Sequence, residues 1–164
     1  MVQFVGVRHV GITAKDPAAL AEFYRDVMGM SVVGGSAADH EQFGESAFVS
    51  SRPDEENHEI AIFADPVFRH IAFKVDTLSD LRAFYREIRG RGLPIQVQFN
   101  HGCSLAFYFH DPEGNMIEVY WSTNVHNWQP YGDPIDLDAS EETLLRDVER
   151  VARETAGPPP AISR

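Results

Sequence analysis

Two stretches set the pattern of the chain. VRHVGITA (residues 7–14) and FRHIAFKV (68–75) are apolar runs, each interrupted by one Arg-His pair, Arg8-His9 and Arg69-His70. Their β-branched and aromatic content predicts strands over 6–14 and 68–75. A helical pattern follows each. In the first, Asp16-Pro17 offers an N-cap and a proline at the first helical position. Leu20, Phe23, Tyr24 and Val27 recur at helical spacing, and Gly29 stands where a C-cap belongs. In the second, Thr77 or Ser79 can cap, Leu81, Phe84, Tyr85 and Ile88 repeat the stripe, and Gly90 repeats the stop. Three strand-like runs come after each helix, at 30–35, 45–52 and 57–63 and again at 94–99, 104–110 and 115–121. Each half therefore reads βαβββ.

The halves also match residue by residue. Aligned on their Arg-His pairs without a gap, residues 8–32 and 69–93 are identical at seven of 25 positions, including Phe23/Phe84, Tyr24/Tyr85 and Gly29/Gly90. A duplication explains this better than chance. The expected fold is α+β, with two tandem βαβββ modules (1–64 and 65–121) forming a curved, mixed-sheet cup. Residues 122–164 form a C-terminal extension: an irregular stretch, a helix over 140–155 capped by Ser140, and a flexible tail.

Composition narrows the function. The formal charge of the 164-residue chain is −11, which argues against nucleic acid or an anionic membrane as partner. The one cysteine, Cys103, permits no intrachain disulfide and fits a reducing, cytoplasmic location. No signal peptide or membrane-spanning run is expected.

Candidate chemistry starts from the two histidines. His9 and His70 occupy equivalent positions on the two leading strands, so a pseudo-twofold axis would bring them together. Paired imidazoles in a partly dry cavity are costly when charged. Neutral, they are standard ligands for a first-row divalent metal. The third candidate is Glu118, a carboxylate in the otherwise apolar end of DPEGNMIEVYW (111–121). Glutamate is rarely buried unless it is paired or bound to metal. Two histidines and one carboxylate form the ligand set of non-haem Fe(II) oxygenases.

The repeat, the paired histidines and the DPEGNMIEVYW ending resemble the vicinal oxygen chelate superfamily, which includes glyoxalases, bleomycin-binding proteins and type I extradiol dioxygenases. The resemblance covers residues 4–121 and implies His9, His70 and Glu118 as metal ligands. Within the superfamily, NHEIAIF (57–63) is similar to the extradiol segment that carries an active-site histidine, which would make His58 the acid–base residue. NHGCSLAFYFHDPEGN (100–115) resembles small extradiol members and implies that Tyr108 and His101 hydrogen-bond the substrate. Tyr120, two residues after Glu118, shares its face. QPYGDPIDL resembles the tail of single-domain extradiol-like proteins, with Trp128 and Tyr131 placed to cover the cup or pack on a partner. His110 and His126 match nothing in the family and are expected at the surface. Strand alternation turns Arg8 and Arg69 away from the cup.

One choice stays open. On a regular strand His58 and Glu59 cannot both face the cup: His58 inward fits an oxygenase, Glu59 inward a glyoxalase-like isomerase or thiol transferase with a fourth ligand. The expectation is an oxidoreductase, an extradiol-type dioxygenase of aromatic catabolism. It would use Fe(II), with Mn(II) as alternative, to cleave a catechol-like ring with O₂. The rivals are a metal-dependent transferase or isomerase of the same superfamily and a metal-free drug- or natural-product-binding protein. A homodimer is compatible with the sequence but not required by it.

Overall fold

The computed structural model describes residues 2–157. Among them are nine strands and three helices: β1 (Phe4–Thr13), α1 (Pro17–Met28), β2 (Ser31–Ser36), β3 (Ser46–Ser50), β4 (Ile60–Phe63), β5 (His70–Val75), α2 (Leu78–Gly90), β6 (Ile95–Asn100), β7 (Ser104–His110), β8 (Met116–Ser122), β9 (Asp133–Pro134) and α3 (Glu141–Glu154). The strand order is β2-β3-β4-β1-β5-β8-β7-β6-β9, with parallel and antiparallel neighbours, so the architecture is α+β with a mixed sheet as expected. The chain divides into two compact units. One holds Arg8–His70 with Trp128–Pro130. The other holds the residues up to Val7, Ile71–Asn127 and Tyr131–Ala156. Most of the expected flexible tail lies outside the described residues.

In the first of these units β4 pairs parallel with β1 (Val10↔Ile60 to Thr13↔Phe63) and antiparallel with β3. Alternation sends Ile12, Ile60, Ile62, Ala47 and Val49 towards α1, where they pack with Ala21 and Met30. The opposite face carries His9, Gly11, Phe48, Ala61 and Phe63. Asp16 caps α1 by accepting from Ala19 N at 2.8 Å, and Gly29 ends it at φ 70°. The buried stripe differs from the expected one. Pro17 and Ala21 are buried and Leu20 and Tyr24 half-buried, while Phe23 and Val27 are 51% and 65% exposed. At about 100° per residue the helix is turned by roughly 60°, onto its small residues, which lets it lie close to the sheet.

The other unit repeats the register. β8 pairs parallel with β5 (Ile71↔Ile117 to Val75↔Trp121) and antiparallel with β7. Val75, Leu105, Phe107, Phe109 and Val119 pack under Leu81, Tyr85 and Ile88 of α2, joined by Leu137, Leu144 and Val148 from the extension. Ala72, Ala106, Tyr108 and Tyr120 occupy the opposite face. Thr77, not Ser79, caps α2. Gly90 is the last helical residue rather than the stop. Gly92 takes the left-handed conformation (φ 75°), and Leu93 N bonds back to Ile88 O. The extension adds the short β9 to the edge of β6, an element its sequence does not announce.

Three strands are shorter than their sequence implies, among them β3, which covers Ser46–Ser50 of the expected 45–52. Residues 57–59 precede β4, because Glu59 folds back onto Ser51 and Arg52 instead of extending. Residues 68–69 belong to a 3-10 turn (Pro66–Phe68) and its cap, started by Asp65-Pro66.

Candidate metal centre

In the unit containing Arg8–His70, β1 aims His9 inward, with 6% of its surface exposed. The His70 ring lies edge-on to it, centroids 5.2 Å apart. His70 is held from behind. Its Nδ1 is 2.7 Å from the carbonyl of Phe68, which can only accept, so Nδ1 carries the proton and Nε2 keeps its lone pair. That Nε2 is out of reach of solvent, although the residue as a whole is half-buried. The ring is close to β1 because residue 11 is glycine. A Cβ there would meet His70 Nδ1 at 2.4 Å and Phe68 O at 2.7 Å.

His58, in the loop before β4, stacks obliquely on His9 with centroids 4.4 Å apart and touches Phe48 at 5.1 Å. Glu59 is engaged within its own loop: Ser51 N donates to it at 2.6 Å, Ser51 Oγ at 2.5 Å, and Arg52 Nη2 at 2.9 Å. Burial raises the Glu59 pKa, but these donors outweigh it and leave the carboxyl below its ordinary range. The half-buried Arg8 has its Nε 3.9 Å from buried Glu56, while Arg69 is exposed.

In the other unit β8 carries Glu118, 2% exposed. It pairs directly across from Tyr108 on β7. Burial first, then the neighbouring Glu118 carboxylate, push the Tyr108 phenol well above its usual pKa, so it stays protonated. His101, in the turn between β6 and β7, reaches Tyr108 Oη with Nε2 at 2.9 Å. Its Nδ1 meets the carbonyl of Tyr131 at 2.5 Å.

One ligand-type atom from each of His9, His70 and Glu118 lies within 4.8 Å of the other two. Strand register accounts for part of this. Glu118 is the register partner of Ala72, and His70 precedes Ala72 by two on the same strand, hence on the same face. The donor set fits a divalent first-row ion: two imidazoles, one with its tautomer fixed for ligation, and a buried carboxylate.

A family model described as the Glyoxalase/Bleomycin resistance protein/Dioxygenase superfamily matches residues 6–119. The chain belongs to that superfamily. Biphenyl-2,3-diol 1,2-dioxygenase 3 of Rhodococcus globerulus is 29% identical over 123 residues, 68% of this chain and 60% of that protein. A catechol 2,3-dioxygenase crystal structure superposes with a TM-score of 0.63 at 21% identity, covering 83% of this chain and 49% of the other. A Mn(II)-bound glyoxalase from Novosphingobium aromaticivorans does so with 0.61 at 19%, covering 96% and 54%. The chain thus spans about half to three-fifths of the length of the proteins it matches.

Of the remaining sequence candidates, His126 is exposed and His110 half-buried at the end of β7. Trp128 donates to Gly35 O at 2.9 Å, and Tyr131 acts through its main chain on His101. Residue spacing gave no notice of Gly11, the Phe68 carbonyl or the Ser51–Arg52 hold on Glu59. Each acts on a neighbour that only the fold supplies. Among the described residues no helix is long and apolar enough to cross a membrane.

Proposed function

We propose that His9, His70 and Glu118 hold a divalent ion, Fe(II) or Mn(II), and that the chain opens a catechol-like aromatic ring with O₂ beside its hydroxylated carbons. The observation that carries this reading is the grouping of the three ligand atoms with the His58 ring against His9. The similarity to a biphenyl-2,3-diol dioxygenase supports an aromatic vicinal diol as substrate class. When bound, the ion would supply the coordination positions that gather the two vicinal oxygens and O₂. The chain's own side chains do the rest. His58 takes and returns a proton at a ring nitrogen, work suited to an imidazole near neutral pH. Tyr108, backed by His101, hydrogen-bonds a substrate hydroxyl. Apolar Phe48 and Phe63 exclude water around the imidazoles.

The engagement of Glu59 with Ser51 and Arg52 counts against a fourth carboxylate ligand, which a glyoxalase or thiol transferase would want. Retention of three ligand-type side chains counts against a metal-free binder. Metal analysis of anaerobically purified protein, followed by oxygen uptake with a panel of catechols, tests the reading. Stoichiometric iron or manganese and a yellow ring-fission product are expected. Bound metal without oxygen uptake would move the chain to the isomerases or transferases, and absence of metal to the binders. His58→Ala should lower turnover by roughly 10²–10⁴-fold with metal content intact. Metal loss equal to that of His9→Ala would remove His58 from the mechanism.

A further inference from the structure

The HG pair, His101-Gly102, is part of a sequence block whose glycine has no role in the chemistry above. Its surroundings supply one. Gly102 has φ 77°, and a Cβ there would lie 2.5 Å from the side-chain nitrogen of Asn127. Asn127, 8% exposed, fills that space and donates through Nδ2 to the carbonyl of His101 at 2.9 Å. Four more bonds fix the same turn: His101 N to Ser104 O (2.8 Å), Gly102 N to Asn100 Oδ1 (2.8 Å), Thr123 Oγ1 to Gly102 O (2.5 Å) and Thr123 N to Cys103 O (3.0 Å). Asn100 is in turn held by Asp147 of α3 at 3.0 Å. The main chain of residue 101 is therefore locked, and Tyr131 O, 2.5 Å from Nδ1, takes hold of the ring.

We propose that Asn127 and the Tyr131 carbonyl are positioning groups that fix His101 as its Nδ1–H tautomer and thereby offer the Tyr108 hydroxyl an acceptor. A carbonyl oxygen only accepts, so the proton of the neutral ring sits on Nδ1. Nε2 is then an acceptor 2.9 Å from Tyr108 Oη, and it competes with the Glu118 carboxylate, which also hydrogen-bonds that hydroxyl, for its single O–H proton. A phenol that donates to His101 presents its oxygen as an acceptor, the polarity needed to receive a hydroxyl proton from a diol. With the other tautomer or an imidazolium, Nε2–H would donate to Tyr108 and reverse that polarity. The consequence for turnover rests on the dioxygenase reading; the tautomer does not.

The test reads the tautomer directly, by long-range ¹H–¹⁵N correlation of the histidine rings in metal-free wild-type protein at about pH 8, above the ordinary histidine pKa near 6.5. The Nδ1–H pattern for His101, assigned by its loss in His101→Gln, supports the proposal. The Nε2–H pattern or an imidazolium overturns it, whatever the protein catalyses. Asn127→Ala removes the donor, and Asn127→Asp keeps the shape but cannot donate. Both should give mixed tautomers and, in the loaded protein, a fall of roughly 3–10-fold in kcat with metal content unchanged. Unaltered His101 resonances in both variants would reduce Asn127 to a packing residue and overturn its part. A variant that does not fold leaves the wild-type spectrum as the deciding measurement.

Discussion

The two modules repeat their strands, their helix and their parallel register, yet their helices are covered differently. On α2, Leu81, Tyr85 and Ile88 are almost wholly buried. Arg82 donates to Leu137 O and Ala139 O, and Arg89 pairs with Asp138, so the extension is fastened to this helix. On α1 the equivalents of Phe84 and Ile88 are Phe23 and Val27, and these face solvent. Duplication copied the apolar positions, but burial in the second module was completed by a segment with no counterpart in the first. An apolar stripe at helical spacing thus marks ancestry as well as packing. The leading strands differ as well. Gly11 aligns with Ala72, and the missing Cβ of Gly11 leaves the room that the His70 imidazole takes.

The comparison breaks first, if it breaks, at the helices. Leu81→Ala should cost about 2–5 kcal/mol in denaturant unfolding. Leu20→Ala, at the half-buried equivalent position, should cost clearly less; equal losses would mean that the extension adds nothing to the second core. Gly11→Ala makes the two leading strands alike at that position. The new Cβ has to displace His70 or the Phe68 carbonyl, so we expect about 1–3 kcal/mol of destabilisation from overpacking. Metal affinity should weaken about 10–100-fold, since an outer-shell contact of a ligand is lost. A calorimetric metal titration unchanged from wild type would contradict this.

The closing loops of the modules sharpen the contrast at smaller cost. The second uses a tight turn in which Asp111 accepts from Asn115 and Glu113, with its pKa lowered first by the Asn115 side chain. The first uses the longer loop that presents His58, tied by Glu59. A carboxylate whose folded pKa lies below its unfolded value near 4.3 stabilises fully above that range and loses the contribution as pH falls through the folded value. Glu59→Gln should therefore lower stability by about 1 kcal/mol at neutral pH, and the two proteins should converge in acid. A gap that persists at low pH would place the interaction elsewhere. The smallest effect is expected at α1: Phe23→Ser should stay within about 0.5 kcal/mol in thermal unfolding, and a larger loss would mean that this face is covered after all.

Much of this is legible in the residues alone. The duplication carried both helices, the strands and the pairing of His9 with His70, because each depends on local pattern plus one symmetry argument; Glu118 stood out as a lone carboxylate in an apolar strand. What could not be read depended on partners distant in sequence. Gly92 rather than Gly90 takes the left-handed conformation after α2, because the helix includes Gly90 as its last residue. The choice between His58 and Glu59 assumed a regular strand, and the loop around Ser51 and Arg52 sets that geometry aside. The hold of Asn127 and Tyr131 on His101 spans about 30 residues of irregular chain, for which periodicity offers no rule.

The extension has another consequence. Gly34 of β2 bridges to Gln129, and β9 lies along β6, so the outermost strand of each module is met by a piece of the same C-terminal segment. Open strand edges are templates for pairing between molecules. A chain cut after Ser122 would keep every proposed ligand and proton carrier, yet bare both edges. Its first failing would be colloidal, strand joining strand in the test tube, before any question of turnover arose.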